Sequence, residues 1–193
     1  MNPEPRQLRP QRWWMLTLRG VAIGGIGILL LLMVLGIRPV PMGDALGGLL
    51  LVAGVCAGWF GLVNQRTQQG GLWLMLNGLI DTGFGIAALV LAHQPVENMI
   101  DLVGFWALLF AFLQAVQAMY FYVGLHYGSD PWVKILHGLL VLASGGLAFA
   151  VLMDPEPPAD PVLLTGLLPM LMGGLLIALG SRLHHDAAVA ALR

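Results

Sequence analysis

The chain has 193 residues, of which 58% are hydrophobic and only 10% are charged; its net charge is −1 and its mean hydropathy is +0.83. Soluble domains carry about one-quarter charged residues, so this composition excludes an ordinary soluble domain and indicates a membrane protein. No basic block or nucleic-acid signature occurs, which argues against DNA or RNA as a partner and leaves the lipid bilayer as the expected surroundings.

Six apolar windows follow one another along the chain, and each is long enough to cross a hydrocarbon layer about 30 Å thick. They cover residues 15–37, 44–63, 72–92, 99–123, 132–152 and 161–181. The connectors between them are short and contain proline, glycine and charged residues, so none can hold an independent domain. The sequence predicts an all-α membrane protein with an N-terminal tail (1–13), a six-helix transmembrane domain (14–183) and a C-terminal tail (184–193).

The cations indicate how these helices are oriented, because Lys and Arg near helix ends are retained in the cytoplasm. Only Arg38 falls on the side opposite the termini. The other eight fall on the side of the termini: Arg6, Arg9, Arg12, Arg19, Arg66, Lys134, Arg182 and Arg193. We therefore expect a multi-pass protein of a bacterial inner membrane, with an uncleaved first helix and both termini in the cytoplasm.

One pattern occurs three times. The segments "LTLRGVAIGGIGILLLL", "LMLNGLIDTGFGIAALV" and "KILHGLLVLASGGLAFA" align on Gly20, Gly78 and Gly138, and a tryptophan opens each block at intervals of 59 residues. Two helices per unit return the chain to its starting side, so the units share one orientation and an axis along the membrane normal. The sequence predicts three helical hairpins (14–66, 72–124 and 132–183) around a pseudo-threefold axis.

Glycines are the expected means of helix association, because lipid provides no hydrophobic drive between helices and close backbone approach must replace it. Packing inside one bundle is the simpler interpretation, and an interface between protomers of a homo-oligomer is the alternative. The predicted packing positions are Gly20, Gly25, Gly27, Gly54, Gly58, Gly78, Gly83, Gly85, Gly138 and Gly145.

A polar residue precedes the aligned glycine in every repeat. Arg19, Asn77 and His137 are equivalent by this alignment, and Asp81 lies on the face of Asn77, four residues further on. An unpaired carboxylate inside the membrane costs about 3 kcal/mol or more, so Asp81 needs a partner. We predict a cluster of Arg19, Asn77, Asp81 and His137. It either fixes the helix register or acts as a protonation switch or polar vestibule.

Gln114 and Gln117, three residues apart in the fourth apolar window, are expected to add hydrogen bonds between helices. Catalytic motifs are missing from the sequence: it has no nucleophile elbow, no phosphate-binding glycine loop and no metal-binding HExxH helix. The histidines show no credible metal-ligand spacing. We therefore predict a protein that is not an enzyme and needs neither a metal nor a cofactor.

The repeated unit, an aromatic residue followed by polar-Gly-x4-small-x-Gly and then a turn with proline, resembles the HdeD-like acid-resistance membrane proteins of bacteria. The resemblance covers about residues 12–183. The outer turns "IRPVP", "HQPVEN" and "MDPEPP" depart from the Trp-Pro-Gly that is frequent in that family. The resemblance implies a role in tolerance of acid or envelope stress and supplies no catalytic residues. The alternatives are a small proton or solute channel or carrier, and an accessory membrane subunit of a larger complex.

Overall fold

A computed structural model describes residues 12–37, 41–65, 71–94, 96–120, 131–152 and 161–189. The regular structure in these ranges is helical, which agrees with the predicted all-α class. The helices are α1 (Trp14–Val34), α2 (Met42–Asn64), α3 (Gly71–Val90), α4 (Val96–Met119), α5 (Pro131–Leu152) and α6 (Pro161–Val189).

Four of these helices are long and apolar enough to cross a membrane: Trp14–Leu32, Met42–Asn64, Gly71–Val90 and Asn98–Met119. In α5 and α6 the described apolar stretches, Lys134–Phe149 and Gly166–Arg182, are shorter. Helix α6 continues to Val189, so residues 184–189 of the predicted C-terminal tail are helical. These features are those of an integral membrane protein.

The helices contact one another in chain order, and the last helix also contacts the first. The most extensive contacts join α2 to α3 and α1 to α6, followed by α4 to α5. Each of these pairs links one predicted hairpin to the next, whereas the two helices of a hairpin contact each other less. Packing between hairpins therefore dominates the bundle.

The contact between α2 and α3 is a ladder of glycines spaced seven residues apart. Helix α2 supplies Gly47, Gly54 and Gly61, and the antiparallel helix α3 supplies Gly85, Gly78 and Gly71. A Cβ atom placed on any of these glycines would lie within about 3 Å of the opposite helix, so only hydrogen fits there. Two helices with glycine at every seventh position can approach until their backbones are in contact.

The contact between α1 and α6 uses the same spacing. A Cβ on Gly20 would lie 2.7 Å from the carbonyl oxygen of Gly173, and a Cβ on Gly27 would lie 2.5 Å from that of Gly166. Gly20 and Gly27 are equivalent to Gly78 and Gly85 in the sequence repeat. The first and second repeats thus present the same pair of glycines to a helix of a neighbouring hairpin.

Three of the predicted packing glycines lie outside the helix contacts that the structure describes, and their role in helix packing stays a prediction. A Cβ on Gly83, Gly138 or Gly145 would meet nothing within 4 Å among the described residues. Gly83 and Gly138 are exposed because they point away from the neighbouring helices. A Cβ on Gly25 would make only ordinary contact with Leu49, at 3.4 Å. A Cβ on Gly58 would also meet nothing within 4 Å, although the backbone of Gly58 lies close to Gly78.

The orientation of α5 accounts for the position of the two glycines of the third repeat, Gly138 and Gly145. Its buried residues are Leu140, Ala143, Ser144, Leu147 and Ala148. The helix therefore presents to the core a face turned away from the one that carries Gly138. Gly104 of α4 lies against Val151 and Leu152 of α5 and not against a glycine.

The ladder predicts that an alanine is tolerated very differently at two glycines of α3. Gly78→Ala should destabilise the protein by about 1–3 kcal/mol, the usual cost of overpacking, because its methyl group would meet the backbone of Gly54 and Gly58. Gly83→Ala, the matched control, should leave stability unchanged or raise it by up to about 1 kcal/mol, since alanine is the better helix former. Unfolding of the purified protein in mixed detergent micelles measures both. Equal effects of the two substitutions would contradict the ladder.

Candidate functional site

An ion pair between α1 and α3 lies inside the bundle. The Arg19 guanidinium donates to Oδ2 of Asp81 twice, from Nε at 3.1 Å and from Nη2 at 2.8 Å. Both side chains are completely buried, with 0% exposure. The two residues are 62 positions apart in the chain, and α1 and α3 are not neighbours in the helix order. The pair therefore crosses the interior of the bundle.

The side-chain amide of Asn77 connects the ion pair to Gln114 of α4. The Oδ1 atom of Asn77 accepts hydrogen bonds from Arg19 Nη2 at 3.3 Å and from Gln114 Nε2 at 3.2 Å. The Nδ2 atom of Asn77 donates to the backbone oxygen of Trp73, one turn earlier, at 2.9 Å. This second bond fixes which end of the Asn77 amide faces the arginine.

Trp106 of α4 completes the coordination of the carboxylate. Its Nε1 atom donates to Asp81 Oδ1 at 2.8 Å, so each oxygen of Asp81 has at least one donor. The guanidinium carbon of Arg19 lies 5.2 Å from the ring centre of Phe110, within the range of a cation–π contact. Arg19, Asn77, Asp81, Trp106 and Gln114 form what we call the interior network, and it joins α1, α3 and α4.

Two polar atoms next to the interior network have no hydrogen-bond partner among the described residues. They are Nη1 of Arg19 and Oε1 of Gln117, both in buried side chains. Gln114 makes the interhelical bond expected of it. For Gln117, the described contacts provide no partner for the side-chain oxygen.

The network extends from about the level of Asp81 towards the termini, and on the other side the described buried side chains are apolar except for Ser144. Asp81 is ten residues into α3, or about 15 Å by helix rise, near the middle of a hydrocarbon layer. The large buried side chains beyond it are Ile26, Leu30, Leu46, Leu50, Met99, Val103 and Leu147. The polar interior is thus closed on that side by packed hydrocarbon.

Three of the four residues predicted to meet, Arg19, Asn77 and Asp81, are in direct contact. His137, the fourth, is half-buried on α5, whereas its counterparts Arg19 and Asn77 are fully buried. The difference follows from the turned orientation of α5, which also exposes the adjacent Gly138.

Trp106 is the network residue that the sequence analysis missed. Most tryptophans of this chain lie at the ends of apolar windows, but Trp106 is in the middle of α4. An indole N–H buried in an apolar interior needs an acceptor, so a tryptophan at mid-membrane depth was a usable signal. Asp81, at a similar depth, was the available acceptor.

The arrangement holds a buried carboxylate opposite a buried guanidinium, so the two charges balance within the bundle. The carboxylate is engaged by three hydrogen bonds, and the positive charge of Arg19 neutralises it. Within the part of the chain that the structure describes, no group of three His, Cys, Asp or Glu side chains could hold a metal ion. Comparisons with known protein families, with curated proteins and with solved structures find no match.

The ion pair predicts strong non-additivity between substitutions of its two partners. Asp81→Asn and Arg19→Gln should each cost about 3–5 kcal/mol of stability, because each leaves the other charge buried without compensation. The double variant should cost clearly less than the sum, since neither charge remains. Unfolding in mixed micelles of the wild type, both single variants and the double variant measures the coupling. Strictly additive effects would show that the two groups do not interact.

The hydrogen bond from Trp106 to Asp81 predicts a smaller loss of stability when it is removed alone. Trp106→Phe keeps an aromatic ring in place but removes the donor to Asp81 Oδ1, and hydrogen bonds to charged groups contribute about 1.5–3 kcal/mol. We expect a loss of stability in that range, measured as above. Trp14→Phe, at an exposed tryptophan, is the control and should have little effect. A Trp106→Phe variant as stable as the control would argue against the bond.

Proposed function

We propose that this chain is a non-enzymatic protein of a bacterial inner membrane, with six spans and both termini in the cytoplasm, that contributes to tolerance of acid or envelope stress. The physiological role rests on the resemblance of the repeated unit to the HdeD-like proteins. The structural observation that carries the proposal is the burial of the Arg19–Asp81 pair inside an apolar bundle.

The connection between this pair and acid is physical. Acid stress adds protons to carboxylates, and protonation of Asp81 would leave the Arg19 charge without compensation in the interior. Asp81 has no exposed surface, and apolar side chains separate it from the side away from the termini. That side is the periplasmic one in the proposed orientation. We infer that the network acts as a lock that holds three helices together while the periplasm acidifies.

The proposed bundle has pseudo-threefold symmetry. Support comes from the contact of α6 with α1, which closes the series of helices, and from the glycine heptads at two junctions between hairpins. The third junction, between α4 and α5, departs from this pattern.

A channel or carrier is less well supported. A conducting path needs polar groups through the full depth of the membrane. Here the buried polar side chains that the structure describes gather at the level of Asp81 and towards the termini, apart from Ser144. The Ser144 hydroxyl donates to the backbone oxygen of Leu140 in its own helix, and the other buried side chains described on that side are apolar.

A membrane-embedded accessory subunit is the second candidate, and one observation favours it. Gly138 and Gly145 of α5 face outward, whereas the equivalent pairs in α1 and α3 are covered by a glycine-bearing helix. A partner helix of similar composition would find the same seven-residue spacing on α5. Copurification from native membranes tests this candidate.

Survival of bacteria at low external pH tests the main proposal. Cells of an acid-sensitive strain that produce the wild-type protein should survive better than cells with an empty vector. Asp81→Asn should abolish the protection, and Gly83→Ala, which disturbs neither network nor ladder, should retain it. Equal survival with and without the wild-type protein would contradict the proposal.

The double variant Arg19→Gln with Asp81→Asn separates a lock from a protonation switch. A lock requires only that no charge is left unpaired, so the double variant should recover part of the protection lost in Asp81→Asn. A switch requires the titratable carboxylate, and the double variant would then remain inactive. Proton flux into liposomes, present for the wild type and lost in Asp81→Asn, would favour the channel.

A further inference from the structure

A groove on the outer surface of the bundle lies between α2 and α3, in the half nearer to the termini. Its volume is about 520 Å³. Gly54, Gly58 and Gly78 form its floor. Exposed apolar side chains form its walls: Val55, Trp59, Leu62, Leu72, Leu76 and Leu79.

The groove exists because two positions beside the glycine ladder carry small residues in the half of the bundle nearer to the termini. In the half away from the termini, Leu51 lies against Gly85 and Leu89 lies against Gly47, so leucines fill the space beside the ladder. One heptad nearer to the termini, the corresponding positions are Gly58 and Thr82, and both line the groove. A Cβ on Gly58 would meet nothing within 4 Å.

The length of the groove matches one lipid leaflet. It extends from Gly54 to Leu62 on α2 and from Thr82 to Leu72 on α3. These spans are about 12 Å and about 15 Å by helix rise. One leaflet of hydrocarbon is about 15 Å deep, half of the 30 Å layer. A docked transmembrane helix would need a contact surface across both leaflets, whereas an acyl chain needs only this half.

A cation lies at the end of the groove nearer to the termini. The guanidinium carbon of Arg12 is 5.8 Å from the ring centre of Trp59, which is part of the groove wall. Arg12 is exposed and lies two residues before the start of α1, at the end of the bundle where headgroups of that leaflet lie. A positive charge at headgroup level attracts anionic lipids.

We propose that this groove binds one anionic phospholipid, with an acyl chain between α2 and α3 and the headgroup phosphate beside Arg12. The site is separate from the interior network, which lies on the other face of α3. It therefore does not depend on the role in acid tolerance, and either proposal can fail while the other stands.

Native mass spectrometry of the full-length, delipidated protein tests the proposal. The probes are phosphatidylglycerol and phosphatidylcholine with identical acyl chains, supplied in equal amounts. The wild type should retain one phosphatidylglycerol with about a fivefold preference, the size of effect expected from one arginine near an anionic group. Arg12→Gln should still retain lipid but without the preference.

Gly58→Leu should abolish retention of both lipids, because its side chain would occupy the groove from a position where a Cβ meets nothing within 4 Å. Gly83→Leu is the matched control: it adds the same side chain at an open position of α3 outside the groove, and it should bind like the wild type. Val55→Phe narrows the groove from an already exposed wall position and should reduce retention even if Gly58→Leu does not fold.

Three results would overturn the proposal. Wild-type retention by folded Gly58→Leu or by Val55→Phe would show that the lipid binds elsewhere. Equal retention of the two lipids by the wild type would remove the role of Arg12. A dimer mass that Gly58→Leu or Val55→Phe abolishes would show that a second copy of the chain occupies the groove.

Discussion

The ion pair between Arg19 and Asp81 sets the conditions that the surrounding structure has to meet. Inside the membrane water does not hydrate either charge. The pair is therefore stable only where the strong donors and acceptors find hydrogen-bond partners in the protein. Asn77 of α3 accepts from Arg19 and Trp106 of α4 donates to Asp81, while Gln114 of α4 donates to Asn77. A pair of residues thereby determines which faces of three helices point inward.

Close helix packing then fixes where the pair lies. Gly20 directly follows Arg19, and Gly78 directly follows Asn77, and both glycines are held against a helix of another hairpin. The polar residue therefore points into the bundle while the next residue contacts a neighbour, because successive residues on a helix are about 100° apart. The polar-Gly pair of the repeat thus combines a group for the interior with a surface for packing.

Much of this arrangement follows from the sequence. The six apolar windows agree with the helices, and an intramembrane carboxylate without a partner is so costly that a contact between Asp81 and Arg19 could be expected from the repeat alignment. The glycine ladder was only partly foreseen: Gly54, Gly78 and Gly85 were among the predicted packing positions, but Gly47, Gly61 and Gly71 were not. The spacing in the structure is seven, and it becomes visible only when Gly47, Gly54 and Gly61 are set against the glycines of α3.

The third repeat could not be predicted in this way, because equivalence in sequence does not fix the rotation of a helix about its own axis. That rotation depends on the volume of the neighbours, and α4 differs from α2 on its inner face. When Gly47 of α2 is aligned with Gly104 of α4, Trp106 and Phe110, both fully buried, stand where α2 has Leu49 and Ala53.

These larger side chains serve the network, since one donates to Asp81 and the other lies over Arg19. They also occupy interior space, and Ala111 replaces the glycine that would correspond to Gly54 of α2. A close glycine contact between α4 and α5 is then sterically unavailable, and α5 presents Ala143 and Leu147 to the core in place of the face with Gly138. The different packing of α5 is therefore linked to the large side chains of α4 that contact the buried ion pair, and it leaves Gly138 and Gly145 on the outside of the bundle.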